Sequence, residues 1–214
     1  MLYLSKRARP DILTAVGFLC TRVKEPTEED QQKLLRLLGY LQTTAGRKLV
    51  LRPEGVFKVE AYVDAAFAIH GDSKSHTGVA VFVGGALVYA ASRKQKCMTK
   101  SPTESELVAL TDNVGFVELF EEFLSFLLNI KERTPIVYQD CTSVIDLVTK
   151  GGGVVRTKHM RARMNVGREA ILEERIKVVY CHTSRMIADG LTKALEGSAF
   201  VTFADLILGH RATE

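Results

Sequence analysis

The chain has no closely spaced cysteines, no unbroken apolar run and no base-plus-nucleophile dyad, and each absence removes a class of function. Cys20, Cys97, Cys141 and Cys181 stand far apart with no Cys-x-x-Cys pair, which argues against a zinc site or a disulfide framework and makes reduced, intracellular thiols the expectation. The most apolar stretch, Phe116 to Ile130, is broken by Glu118, Glu121 and Glu122, so no membrane span is expected. Met1 to Arg7 lacks the apolar core of a signal peptide. A soluble chain is expected, with neither a membrane nor a small-molecule cofactor among its partners. At 214 residues and 46% apolar composition it can bury one sizeable core and a small second unit. The net charge of +4 and pI near 8.9 favour an anionic partner.

Four isolated acids stand at the ends of elements: Asp64, Glu106, Asp140 and Asp189. Asp64 closes the alternation of Val56 to Val63, and Asp140 closes Pro135 to Gln139, so two carboxylates end two expected strands. Glu106 and Asp189 fall on expected helices. Carboxylates gathered by folding repel one another and are costly to bury unless a divalent cation lies between them. Hard cations such as Mg²⁺ take oxygen ligands, which is what phosphodiester hydrolysis needs.

The helix carrying Glu106 contains a second glutamate with a different expected role. Ser101-Pro102-Thr103-Glu104 reads as a capping box, with Ser101 as N-cap and Pro102 at the first helical position. Glu104 is thereby structural. At about 100° per residue, Glu106 shares a face with Leu110, Val117, Phe120 and Leu124, while Glu104 lies opposite with Glu118 and Glu122. A carboxylate at the rim of a buried face is a metal ligand or a partner for a buried base.

Residues 1–52 read as helical, with Asp11 opening one apolar-periodic segment and Thr27 another. From residue 56 the texture changes. Strands are expected at Phe57–Val63, Thr77–Val83, Ala86–Ser92, Ile136–Tyr138 and Lys177–Cys181, with Gly84-Gly85 as a hairpin turn. Helices are expected at Pro102 to about Asn129, Ser143–Thr149, Lys158–Glu173 and from Met186 onward. Gly151-Gly152-Gly153 reads as a flexible break. The expected fold is α/β: a mixed five-stranded sheet flanked by helices over 56–205, preceded by a short helical segment over 1–52. Two basic runs flank the acids, Arg93, Lys94, Lys96 and Lys100, then Arg156, Lys158, His159, Arg161, Arg163 and Arg168. Each is a solvated surface or a phosphate grip.

That order of elements and acids resembles the ribonuclease H fold. The motifs Val63-Asp64-Ala65-Ala66-Phe67-Ala68, Thr77-Gly78, Ser92-Arg93-Lys94-Gln95-Lys96, Thr103-Glu104-Ser105-Glu106-Leu107, Arg156-Thr157-Lys158-His159 and Ala188-Asp189-Gly190-Leu191-Thr192-Lys193 are similar to the ribonuclease H domain of copia-type retrotransposon polyproteins. The preceding stretch, with Arg9-Pro10-Asp11-Ile12 and Pro26-Thr27, is similar to the connection from reverse transcriptase in those polyproteins. Two departures exist, since the family usually has aspartate where Ala66 and Arg161 stand. Tyr62-Val63-Asp64-Ala65 is one substitution from a polymerase Tyr-x-Asp-Asp hairpin, but only 61 residues precede it, too few for polymerase fingers and palm. The chain is expected to be the tail of a polyprotein with no polymerase site of its own.

The resemblance implies a metal-dependent endonuclease that hydrolyses the RNA strand of RNA/DNA hybrids during reverse transcription, with the reverse transcriptase domain of the same polyprotein as partner. It implies Asp64, Glu106, Asp140 and Asp189 as catalytic metal ligands for two Mg²⁺ ions, roughly 4 Å apart, with Mn²⁺ able to substitute. Asp64 would bridge both ions, Glu106 and Asp140 hold one, and Asp189 the other. Hybrid contacts are expected from Arg93, Lys94, Lys96, Lys100, Arg156, Lys158, Arg161 and Arg163 to phosphates, and from Ser105, Thr142 and Ser143 to sugar or phosphate. Cellular ribonucleases H carry a histidine before the last aspartate that helps product leave; His182, adjoining the last strand, is the candidate for it but is expected to be structural or solvent-facing, and His159 a phosphate or structural contact. The implied location is a cytoplasmic virus-like particle, or the nucleus. The alternative is a catalytically silent nucleic-acid-binding remnant of such a polyprotein.

Overall fold

Alternation along Val59–Ala66 sends Val59, Ala61, Val63 and Ala65 to one side of a strand, where all four are buried. In the computed structural model, which describes residues 1–53, 56–131, 133–151 and 157–210, this strand is β1, at the centre of a five-stranded sheet. β2 (His76–Val83) and β3 (Ala86–Lys94) continue from it as an antiparallel meander, joined by Gly84 and Gly85. Both glycines have positive φ, 56° and 80°, as a tight hairpin between right-twisted strands requires. β4 (Ile136–Gln139) and β5 (Lys177–Tyr180) lie parallel on the other side, giving the order β3-β2-β1-β4-β5. This is the mixed five-stranded sheet with flanking helices that the sequence predicts.

Parallel strands need crossovers, and helices supply them. Starting from the N-terminus, α1 spans Leu2–Arg7, α2 Leu13–Thr21, α3 Glu28–Thr43 and α4 Pro102–Leu128. α5 (Thr142–Lys150) and α6 (Lys158–Leu172) connect β4 to β5, and α7 spans Gly197–Leu208. The main core lies between β1, β2 and α4, with Leu107, Val108, Leu110, Val114 and Val117 facing Val59, Val63, Val79 and Val81. A second core on the opposite face joins Leu13 of α2 to Phe82, Leu87, Leu191 and Phe203. The N-terminal helices therefore pack directly on the sheet.

Three expectations about element ends are corrected. β1 does not end at Asp64 but continues to Ala66, because Asp64 still pairs with Gly78 across β2. Asp11 does not cap a helix: it is buried in a 3-10 turn, Pro10–Ile12, where Arg9 donates to it at 2.8 Å and the Tyr40 hydroxyl at 2.7 Å. Thr27 does cap α3, with Asp30 completing the box. The segment from Met186 begins as a 3-10 turn, Ile187–Leu191, and becomes α-helical only at Gly197. Gly152 and Gly153 lie outside the described residues.

Candidate active site

The parallel register of β1 and β4 pairs Tyr62 with Tyr138. Two residues further along each strand, Asp64 and Asp140 come side by side, about 5 Å being the spacing between neighbouring strands. α4 supplies the third acid. Ser101 accepts the Glu104 N–H at 3.2 Å and starts the helix where predicted. Glu104 does not close the capping box on Ser101, since its carboxylate reaches one residue further back to the Lys100 N–H at 2.7 Å. Glu106 is turned inward on the face of Leu110 and Val117 and is only 7% exposed. One ligand oxygen each from Asp64, Glu106 and Asp140 lies within 4.8 Å of the others.

Burial dominates the electrostatics of this trio. The Glu106 carboxyl is pushed up to about 9 by burial and then by the charge of Asp64, against the Ala65 N–H, which donates to it at 3.1 Å. Asp64, 2% exposed, is pushed up to about 6 by burial, with the Thr192 hydroxyl and Lys193 pulling it down and Asp189 and Asp140 raising it. Carboxyls so destabilised as anions are those that a divalent cation would compensate. The donor set is all oxygen, as hard cations require, so the trio fits a hard divalent cation. Asp189 stands beside the trio, outside the 4.8 Å group, with its carboxylate on the Lys193 ammonium at 2.7 Å. That ammonium is also 3.9 Å from Asp64.

Several residues missed in the sequence hold these acids in place. Gln139, fully buried, links Glu106 to the backbone at Asp140. Thr192 donates to Asp64, and Thr183 donates to Asp140 at 3.0 Å. Gln95, inside the Lys-Gln-Lys run, is buried and staples β2 to α4 through Thr77 and the Ser105 carbonyl, at 3.0 and 2.9 Å. Thr192 stood in a quoted motif with Asp189, and Gln139 ended the run that Asp140 closes, but neither was singled out.

The expected nucleic-acid contacts divide. Lys96, Lys100, Lys158 and Arg161 are exposed, and Thr142 and Ser143 are exposed at the start of α5 next to Asp140. Arg93 instead donates to Asn113 at 2.6 Å, Lys94 pairs with Asp72 at 2.7 Å, and Arg163 with Asp112. Ser105 is corrected outright: it is 0% exposed and gives its hydroxyl to the Pro102 carbonyl at 2.7 Å, so it cannot meet sugar or phosphate. Arg156 lies outside the described residues. His159 is exposed, and His182 caps the 3-10 turn Thr183–Arg185 through Ser184.

Gly78, opposite Asp64, lets the Ile187–Leu191 turn approach the sheet. A Cβ there would meet the Ala188 carbonyl at 2.7 Å and Leu191 and Thr192 at 2.8 Å. Gly78→Ala is expected to cost about 1–3 kcal/mol by overpacking and to push Thr192 and Asp189 away from Asp64. Urea denaturation checks it, and a wild-type midpoint would show that the turn yields freely.

No family model matches the chain. The chain is 32% identical over 212 residues to the retrovirus-related Pol polyprotein from transposon TNT 1-94 of Nicotiana tabacum, covering 98% of this chain and 16% of that protein. To the Pol polyprotein from transposon RE1 of Arabidopsis thaliana it is 31% identical over 200 residues, covering 93% and 14%. It thus spans 14–16% of the length of these two relatives. Among solved structures, LC11-RNase H1, isolated from compost, overlays with a TM-score of 0.49 at 16% identity, covering 64% of this chain and 93% of that one. Among the described residues no helix is long and apolar enough to cross a membrane. At 31–32% identity over most of its length the chain thus resembles one segment of retrotransposon Pol polyproteins, and that segment folds here as a mixed five-stranded sheet flanked by helices.

Proposed function

We propose that this chain is a divalent-cation-dependent endonuclease hydrolysing the RNA strand of RNA/DNA hybrids, acting inside a retrotransposon polyprotein beside its reverse transcriptase domain. The observation that carries this reading is the convergence of Asp64 on the central strand β1, Asp140 just past the end of β4 and Glu106 on α4, within 4.8 Å of one another. Two Mg²⁺ ions, or Mn²⁺ in their place, held by these three and Asp189, would polarise the scissile phosphate and activate the attacking water. The chain's own groups prepare the site. Thr192 and Thr183 orient Asp64 and Asp140 by donating to them. Lys193 supplies a fixed positive charge on the Asp189 side. Lys96, Lys100, Lys158 and Arg161, exposed and in no ion pair among the described residues, would hold phosphates, and Thr142 and Ser143 lie next to Asp140 for sugar or phosphate contact. Residues 1–52 are proposed as the connection to the polymerase portion, and the particle in which reverse transcription proceeds as the location.

The test is end-labelled hybrid with purified protein. Cleavage of the RNA strand in Mg²⁺ to 3′-hydroxyl and 5′-phosphate ends, stopping in excess EDTA, is the expected result; cutting that persists in EDTA sinks the reading. Replacing Lys96, Lys100, Lys158 and Arg161 by glutamine should weaken binding and flatten its dependence on log salt by roughly 0.7–0.9 per lost phosphate contact. Asp140→Asn should still bind hybrid in Ca²⁺ buffer. Wild-type protein that binds with this salt slope yet never cuts would be a silent binding module.

A further inference from the structure

Gln139 occupies a position where the pattern of β4 calls for an apolar side chain. It alternates with Tyr138 and faces the same side as Val137, which belongs to the core against α4, and it is 0% exposed. A buried amide without partners is costly, and this one is nearly saturated. Its Oε1 accepts the N–H groups of Asp140 at 2.8 Å and Cys141 at 3.2 Å, and its Nε2 donates to Glu106 Oε2 at 3.2 Å. The orientation of the amide is fixed by these partners. Two backbone donors must meet its oxygen, which leaves the NH₂ for the carboxylate.

We propose that Gln139 is a positioning residue for the acidic site, a single side chain that ties the carboxylate of α4 to the strand end bearing Asp140. Through its oxygen it shapes the β4–α5 turn and so sets where Asp140 begins. Through its nitrogen it holds one oxygen of Glu106 while Ala65 holds the other at 3.1 Å, so the carboxylate cannot swivel. Both acids are thereby preset for one cation rather than gathered by it. Side chains that orient metal ligands in this way typically cost 10–100-fold in affinity or activity when removed.

The inference rests on the proposed cation site, and the experiment separates the two. Gln139→Met keeps the volume and removes all three hydrogen bonds. Gln139→Glu keeps an oxygen for the turn and replaces the donor facing Glu106 by an acceptor. Calorimetric Mn²⁺ titration, kcat and KM on a hybrid, and thermal melting are measured for wild type and both variants. The expected result is roughly tenfold or greater loss of Mn²⁺ affinity in Gln139→Met and a similar fall in kcat, with KM for the hybrid unchanged. Gln139→Glu, should the Met variant not fold, is expected to show the kcat loss with the turn intact. A melting temperature that falls while Mn²⁺ affinity and kcat stay at wild-type values would reduce Gln139 to a structural role and overturn the proposal. Wild-type protein that binds Mn²⁺ without cutting would refute the nuclease reading alone, and wild-type protein with no Mn²⁺ binding would refute both.

Discussion

Glu106→Gln is expected to lower hybrid cleavage by at least about a thousandfold, since removing one cation ligand forfeits several kcal/mol of transition-state stabilisation, and each 1.36 kcal/mol is tenfold. The fold should survive. In the cation-free protein the Glu106 carboxyl, pushed up to about 9 by burial, is already neutral at pH 7, and a glutamine amide is its near isostere there. The substituted amide can still accept the Ala65 N–H, and only the Gln139 hydrogen bond is lost, because two NH₂ groups then face each other. Glu104→Gln is the control on the same helix. Its side chain is an external cap on the Lys100 N–H, which a glutamine oxygen can also accept, so most activity should remain. An inactive 104 variant beside an active 106 variant would invert the roles assigned to the two glutamates.

The cation-free protein should lose stability as pH rises from 6.5 to 8.5, and a divalent cation should restore it. The sign follows from Glu106. Its folded value near 9 lies above the ordinary 4.5, so the folded state binds the extra proton between those values. The stability it contributes is fully present below about 4.5 and is lost as pH rises through 9. Over two pH units inside that window the loss is roughly 3 kcal/mol. Asp64 acts in the same direction between 3.8 and about 6. His76, pushed down to about 4 by burial, works the opposite way below 6.5, because its unfolded state binds the proton. Above 6.5 Asp64 and His76 no longer contribute, and the thiols of Cys141 and Cys181, both raised by burial, enter only toward 8.5, so the decline from 6.5 to 7.5 reports Glu106. Urea denaturation at pH 6.5, 7.5 and 8.5 should show the decline in EDTA, a flat profile for Glu106→Gln, and recovery in Mg²⁺, with protons released on binding. A flat wild-type profile in EDTA would mean that Glu106 is not held neutral.

The basic runs show where one-dimensional reading stops. Lys94, Arg93 and Arg163 looked equivalent to Lys96 and Arg161 along the chain, yet the first three are engaged by Asp72, Asn113 and Asp112. Those partners lie some 20 to 50 positions away for Arg93 and Arg163, beyond any local spacing rule. Ser105 was adjacent to Glu106 in sequence but points elsewhere, because neighbouring helical residues sit about 100° apart.

Local periodicity determined the elements of this protein. The alternation of β1, the Ser101-Pro102 start of α4, the inward face carrying Glu106 and the Gly84-Gly85 turn all follow from which side chains must leave water and which backbone angles a turn demands. The four isolated acids were legible as charges set within or beside apolar patterns, and through the motifs around them, although β1 runs on past Asp64 to Ala66. Tertiary structure alone decided how the acids are held. Thr192 meets Asp64 across 128 positions, and Gln139 meets Glu106 across 33. A buried polar residue carries no periodic signature: its cost is offset only by partners that three-dimensional packing brings within hydrogen-bond reach.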